Sequence, residues 1–219
     1  MPQESDDTER KLHSQVQSTY FDKHFDFFCR DVPESIQGRT RNIVQETNLH
    51  AHAKVLDVGT GTGALIKHFL EFGISQRNII GCDLSREMID NARKRYPHVY
   101  YWRGDILDFP LAFPEDAPDH IKEVDTIFFN ACFGNVWNQE ETLAHSRKLL
   151  AAGGKIAISH PMGKRFVAAL NASEPDLVPH LLPDLKKLQD WSLLMEATVV
   201  DKFIDEPDLY LAILRTEQN

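Results

Sequence analysis

A chain of 219 residues that is 42% hydrophobic and 26% charged can bury one sizeable core, which excludes a largely disordered protein. Its 11 Gly and 11 Pro follow no period, which excludes collagen-like and coiled-coil designs. With 24 Lys and Arg against 33 Asp and Glu the net charge is −9, which repels phosphate backbones, so no nucleic-acid partner is expected.

Residues 1–7 read as an acidic, frayed tail. Signal peptides start positive and then turn apolar, so this start argues against one. No apolar run reaches the roughly 20 residues of a membrane helix. A cytoplasmic protein without membrane contact is expected, although a removed targeting segment would leave no trace. Thr8 to Asp31 lacks Gly and Pro and carries Tyr20, Phe21, Phe25, Phe27 and Phe28, consistent with one or two helices. After Pro33, Ile36, Ile43 and Val44 give Ser35 to Leu49 a helical spacing. Residues 1–50 are therefore expected to form an N-terminal helical lid on a main domain of residues 51–219.

From Lys54 onward strands alternate with helices. The expected strands are Lys54–Val58, Asn78–Asp83, Val99–Trp102, Val124–Phe129 and Lys155–Ser159. The expected helices are Ala64–Glu71, one capped by Ser85 and ended by Pro97, Gln139–Leu150 stopped by Gly153-Gly154, one near Gly163–Ala172, and Asp184–Met195. Two last strands, Thr198–Ile204 and Leu209–Leu214, are joined by Glu206-Pro207-Asp208. Strand–helix–strand repetition predicts a parallel sheet covered on both faces. The final connection is too short for a parallel crossover, so those two strands must pair antiparallel. Cys29, Cys82 and Cys132 form no C-x-x-C pair and signal neither a zinc ribbon nor a disulfide framework. His50 and His52 are two potential ligands, and two make no metal site; no metal is expected.

The strongest local signal is Val55-Leu56-Asp57-Val58-Gly59-Thr60-Gly61-Thr62-Gly63-Ala64. A buried strand runs into a glycine-rich turn and then a helix, whose first N–H groups are unpaired. Gly59, Gly61 and Ala64 satisfy a loose dinucleotide-binding pattern, with Asp83 near the distance expected of a ribose-binding acid. A nicotinamide-dependent oxidoreductase is thus one reading. Yet a carboxylate at Asp57, at the end of the strand, would repel a pyrophosphate.

With Asp57 ahead of Gly59, Gly61 and Gly63, the turn resembles the E/D-x-G-x-G-x-G signature of class I S-adenosylmethionine-dependent methyltransferases. The similarity extends from about Val55 to Arg215. It implies a Rossmann-like three-layer α/β sandwich: a seven-stranded, mostly parallel sheet with an antiparallel last strand. It also implies that Asp57 receives the methionine ammonium of the cofactor and that Thr60 and the three glycines line it. Asp83 would take both ribose hydroxyls, as two acceptor oxygens suit a vicinal diol. Leu84 and Met88 would pack by the adenine. Arg103-Gly104-Asp105-Ile106 resembles the family's loop after strand three, which assigns Asp105 to the adenine amino group and the Ile106 N–H to a ring nitrogen.

The backbone of Asn130-Ala131, where strand four ends, would line the methionine portion. This loop spells neither the [DNS]-P-P-[FYW] motif nor a Pro-Cys nucleophile motif, so Cys132 reads as a packed thiol. Tyr20 of the lid resembles an aromatic that faces the cationic sulfonium. His160, ahead of Pro161, is the candidate general base, with a strand-end histidine bonded to backbone as the competing reading.

The function implied is methyl transfer from S-adenosyl-L-methionine to a small-molecule acceptor, with S-adenosyl-L-homocysteine leaving, by a monomer or homodimer. The rival readings are the nicotinamide enzyme and a catalytically silent cofactor-binding or regulatory protein.

Overall fold

The computed structural model describes residues 2–114, 117–195 and 198–217. Its centre is a seven-stranded sheet in the order β3-β2-β1-β4-β5-β7-β6. The strands are β1 (Val55–Val58), β2 (Ile79–Asp83), β3 (Tyr100–Arg103), β4 (Val124–Asn130), β5 (Leu150–His160), β6 (Thr198–Glu206) and β7 (Leu209–Thr216). β1 to β5 pair parallel, whereas β7 lies antiparallel between β5 and β6. The two-residue link from β6 to β7 leaves no other pairing open to β7.

The helices are α1 (Pro2–Lys23), α2 (Phe25–Phe28), α3 (Glu34–Glu46), α4 (Ala64–Glu71), α5 (Arg86–Arg95), α6 (Gln139–Arg147), α7 (Gly163–Ser173) and α8 (Leu185–Leu194). β1 is buried at every position, as a central parallel strand covered on both faces must be. One core, with Leu56, Ile127, Phe129, Ile158 and Leu188, fills one face of the sheet. The other, with Val55, Phe69, Ile79, Phe128 and Ala157, fills the opposite face. α3 belongs to this second core through Ile43 and Val44, both essentially inaccessible to solvent. Lys155 Nζ also donates to the Thr47 carbonyl at 2.7 Å, which ties the end of α3 to β5.

Three local expectations are corrected. Helix α1 already starts at Pro2, where residues 1–7 read as a frayed tail; proline suits a first turn, since the N–H it lacks has no helical partner there. α6 ends at Arg147, and Gly153-Gly154 lie inside β5 rather than stopping the helix. There the register against β4 slips between Val124 and Thr126, and Gly153 has φ +74°. A Cβ at Gly154 would stand 2.8 Å from the Ala151 carbonyl oxygen, so the pair serves a bulge.

Candidate cofactor and active site

The carboxyl ends of β1, β2 and β4 bring the expected site residues together. Register pairs Asp57 with Gly81 of β2 and with Phe128 of β4. Side chains alternate along a strand, so Asp57, Asp83 and Asn130 point to the same face of the sheet. His160 does not share that face: its neighbour Ser159 is the residue in register with Asn130.

The glycine-rich turn gives each glycine a different task. Gly59, Gly61 and Gly63 all have positive φ, at +66°, +54° and +86°. A Cβ at Gly59 would stand 2.7 Å from the Cβ of Cys132, so this glycine admits the β4 loop. A Cβ at Gly63 would stand 2.7 Å from the Tyr96 ring, so that glycine admits α5. At Gly61 the nearest atom would be the Gly59 carbonyl oxygen at 4.0 Å, leaving open space in front of the turn. The turn is held from behind, where Gly59 and Thr60 N–H groups both donate to the Cys82 carbonyl, at 2.8 and 3.0 Å.

Asp57 is 2% exposed and accepts a bond from Thr60 Oγ1 at 2.7 Å. Burial pushes its carboxyl up to about 7, with the nearby Asp83 adding to the rise. Asp83, half-buried at the end of β2, accepts from the Gly61 N–H at 2.8 Å and the Ser85 N–H at 2.9 Å. Burial raises it to about 6, against the lowering effect of those bonds. Each oxygen keeps a lone pair for a further donor. Ser85 caps α5 by accepting from the Met88 N–H at 3.1 Å. Met88 is buried and Leu84 half-buried.

Asp105 begins the 3₁₀ turn Ile106–Asp108 and accepts from the Leu107 N–H at 2.9 Å. Its second oxygen accepts from Ser14 Oγ of α1, also at 2.9 Å. Ile106 is 3% exposed. Asn130 Oδ1 accepts from Ser159 Oγ at 3.0 Å, and the Ala131 N–H donates to the Ser159 carbonyl at 2.8 Å. Ala131 has φ +58°, a conformation that costs a residue with a Cβ about 1–2 kcal/mol. Cys132 Sγ donates to the Val58 carbonyl at 3.1 Å, and burial pushes the thiol up, as suits a packed cysteine.

The geometry of His160 is that of the competing reading. Its Nδ1 accepts from the Met162 N–H at 3.2 Å, and its ring lies 5.3 Å from that of Phe166. Burial pulls the imidazole down to about 4. With Nδ1 engaged as an acceptor, the neutral ring carries its proton on Nε2 and has no free lone pair for a substrate proton. Tyr20 stacks on His24 with ring centroids 4.2 Å apart, and burial raises its hydroxyl.

No motif marks Arg10, Ser14 or Gln17, and Asp22 is marked only as a neighbour of the lid pair Tyr20-Phe21, yet these four fasten α1 to the loops around the site. Arg10 pairs with Asp108 at 2.8 Å, and Gln17 Nε2 donates to the Leu177 carbonyl at 2.6 Å. Asp22 accepts from Ser85 Oγ and, at 3.2 Å, from the Glu87 N–H. No local motif reveals these contacts, because the partners lie 63 to 160 residues away. A groove of about 580 Å³ lined by Thr19, Asp22, Lys23, Phe25, Asp26 and Glu87 contains none of the turn residues and meets the site only through Asp22 and Glu87 at the start of α5.

Residues 55–154 match the family model described as Methyltransferase domain. Over these residues the chain is similar to a methyltransferase domain, and its fold is that of class I S-adenosylmethionine-dependent methyltransferases. A demethylmenaquinone methyltransferase of Tropheryma whipplei (strain Twist) is 33% identical to it over 144 residues, 63% of this chain and 53% of its own length. A trans-aconitate 2-methyltransferase of Acidovorax sp. (strain JS42) is 35% identical over 107 residues, 49% of this chain and 38% of its own. The chain thus spans about half the length, or less, of these curated relatives. Among solved structures, the magnesium protoporphyrin IX methyltransferase of Synechocystis PCC 6803 with bound S-adenosylhomocysteine is similar with a TM-score of 0.64. At 14% identity, covering 94% of this chain and 100% of that one, it shares the methyltransferase fold.

The residues present fit the cofactor of this family. The open space before Gly61 is a cradle that a Cβ would fill, and it is flanked by two carboxylates with unused acceptor capacity. No helix among the described residues is long and apolar enough to cross a membrane.

Proposed function

We propose that this chain transfers the methyl group of S-adenosylmethionine to a small-molecule acceptor. The observation that carries the reading is the cradle at Gly61, whose N–H holds the carboxylate of Asp83 beside the buried carboxyl of Asp57. The names of the relatives support the acceptor class: a demethylated menaquinone, trans-aconitate and a magnesium porphyrin are all small molecules. The acidic composition supports it too, as does the lack of a basic surface motif for nucleic acid.

When bound, the cofactor supplies a methyl group already activated on a sulfonium. The residues of the chain bind and orient. Asp57 holds the ammonium and Asp83 the ribose diol, with Thr60, Gly59 and Gly63 shaping the turn between them. Asp105 and Ile106 serve the adenine, beside Leu84 and Met88. Asn130 and Ala131 line the methionine portion, and Tyr20 offers an aromatic face from the lid. His160 keeps the β5 end in place and removes no proton. The N-terminal 50 residues act as lid and residues 51–219 as cofactor-binding domain, with α3 anchoring the one to the other. Three unpaired cysteines support a cytoplasmic location.

A second reading, a cofactor-binding protein without turnover, is favoured by one observation: the histidine nearest the strand ends has its Nδ1 taken by backbone. One experiment separates the two. Purified protein is given methyl-labelled S-adenosylmethionine with a panel of quinols, carboxylic acids, phenols and amines. Labelled product from any acceptor establishes transfer. Tight S-adenosylhomocysteine binding with no labelled product establishes the second reading, and NADH binding without either would restore the oxidoreductase.

A further inference from the structure

Helix α1 reaches both carboxylates assigned to the nucleoside, Asp105 directly and Asp83 through Ser85. Ser14 Oγ donates to Asp105 Oδ2 at 2.9 Å. Asp22 accepts from Ser85 Oγ, and the Ser85 N–H donates to Asp83 Oδ1 at 2.9 Å. Ser14 and Asp22 are eight residues apart, about 12 Å along a helix, so one rigid element spans the loops after β2 and β3. Arg10, bonded to Asp108 at 2.8 Å, extends the same contact by another turn.

We propose that Ser14 and Asp22 are positioning residues for the nucleoside half of the cofactor, a reading that rests on the cofactor assignment above. Asp105 alone at the start of a 3₁₀ turn is fixed through one oxygen, by Leu107 N–H. Ser14 fixes the other, which leaves the carboxylate one orientation in which to meet an amino group. Asp22 acts through Ser85. By accepting the Ser85 hydroxyl proton it directs that oxygen's lone pairs to the Met88 N–H, and the first turn of α5 then presents the Ser85 N–H to Asp83. The Glu87 N–H, also bound to Asp22, removes a second unpaired donor from the same helix start. Through Ser14 and Asp22 the lid thus sets the geometry of two acids, a role separate from that of Tyr20. Small carboxylate movements matter here, because a hydrogen bond weakens steeply with misalignment.

Adenosine, which lacks the amino-acid half, and S-adenosylhomocysteine are the probes, with calorimetric affinity as the readout and circular dichroism as the check of folding. Ser14→Ala and Asp22→Ala should each weaken both probes by the same factor, about fivefold or more. Ser14→Thr keeps the hydroxyl and Asp22→Asn keeps an accepting oxygen, and both should restore affinity to within about twofold; a merely structural role of α1 predicts no such rescue. In an Asp105→Ala background Ser14→Ala should add nothing. Unchanged affinity in the folded alanine variants overturns the proposal. So does tighter binding, which would mean that Ser14 competes with the adenine. Wild-type protein that binds neither probe overturns the cofactor assignment itself, a result distinct from either.

Discussion

The backbone N–H of Gly61 donates to Oδ2 of Asp83 at 2.8 Å, which couples the turn after β1 to the acid that ends β2. One carboxylate therefore both fixes the turn and faces the ligand space in front of it. Asp83→Ala would remove the proposed acceptor of the ribose hydroxyls and strand the Gly61 and Ser85 N–H groups. S-adenosylhomocysteine affinity, measured by calorimetry, is expected to fall by at least about tenfold, since bonds to charged groups are worth roughly 1.5–3 kcal/mol each. Unaltered affinity in a folded variant would remove Asp83 from the cofactor site.

The glycines of the turn should separate by substitution. Gly61→Ala bears the same strain of a Cβ at positive φ but directs it into open space, so the α/β fold should persist in circular dichroism while cofactor binding is weakened. Gly59→Ala instead drives a Cβ to 2.7 Å from Cys132 at a φ of +66°, and its first effect should be on stability, by about 1–3 kcal/mol in denaturant unfolding. Equal stability losses in the two variants would contradict this division.

Asp57 gives a pH dependence of definite sign. Its carboxyl is raised by burial from an ordinary 3.8 to about 7. Between those values the unfolded chain is ionised at this position while the folded one is protonated. The stabilising contribution is therefore fully present below about 4 and is lost as pH rises towards 7. Asp57→Asn removes the buried charge, and Thr60 Oγ1 can still donate to the amide oxygen. At pH 7.5 the melting temperature of the ligand-free variant should exceed that of the wild type by about 3 °C or more. Binding should move the other way. Wild-type affinity for S-adenosylhomocysteine should rise between pH 5.5 and pH 8 as the carboxylate forms to meet the ammonium, and the Asn variant should bind at least about tenfold more weakly at pH 8. An Asn variant less stable than wild type at pH 7.5 would show that Asp57 is not a buried charge.

His160→Gln should leave turnover within about threefold of wild type once an acceptor is found, well short of the 10²–10⁴-fold expected of a lost base. The wild-type rate should show no limb near pH 6.5 that depends on this residue, because burial holds the imidazole down at about 4. A hundredfold loss with unchanged cofactor affinity would restore His160 as a base and require Nδ1 to leave the Met162 N–H during the reaction.

Much of this protein was legible in one dimension because the relevant physics is local. Strand–helix alternation, the turn after Val58, the acid closing β2 and the short link at Pro207-Asp208 are each decided within a few residues, by periodicity, backbone sterics and chain reach. Those features dictated a parallel sheet with an antiparallel last strand and put Asp57, Asp83 and Asp105 at strand ends. Tertiary structure decided what depends on distant neighbours. Three glycines that look alike in sequence differ because Cys132 crowds one, Tyr96 another and nothing the third. Gly153-Gly154, which punctuate as a helix stop, are consumed by a bulge set by the register against β4. The protonation of His160 follows from burial and from the Met162 N–H, and the roles of Ser14 and Asp22 from loops 91 and 63 residues away. Burial, register and long-range hydrogen bonds exist only once the sheet has formed, and these set the chemistry of side chains whose positions the sequence alone determined.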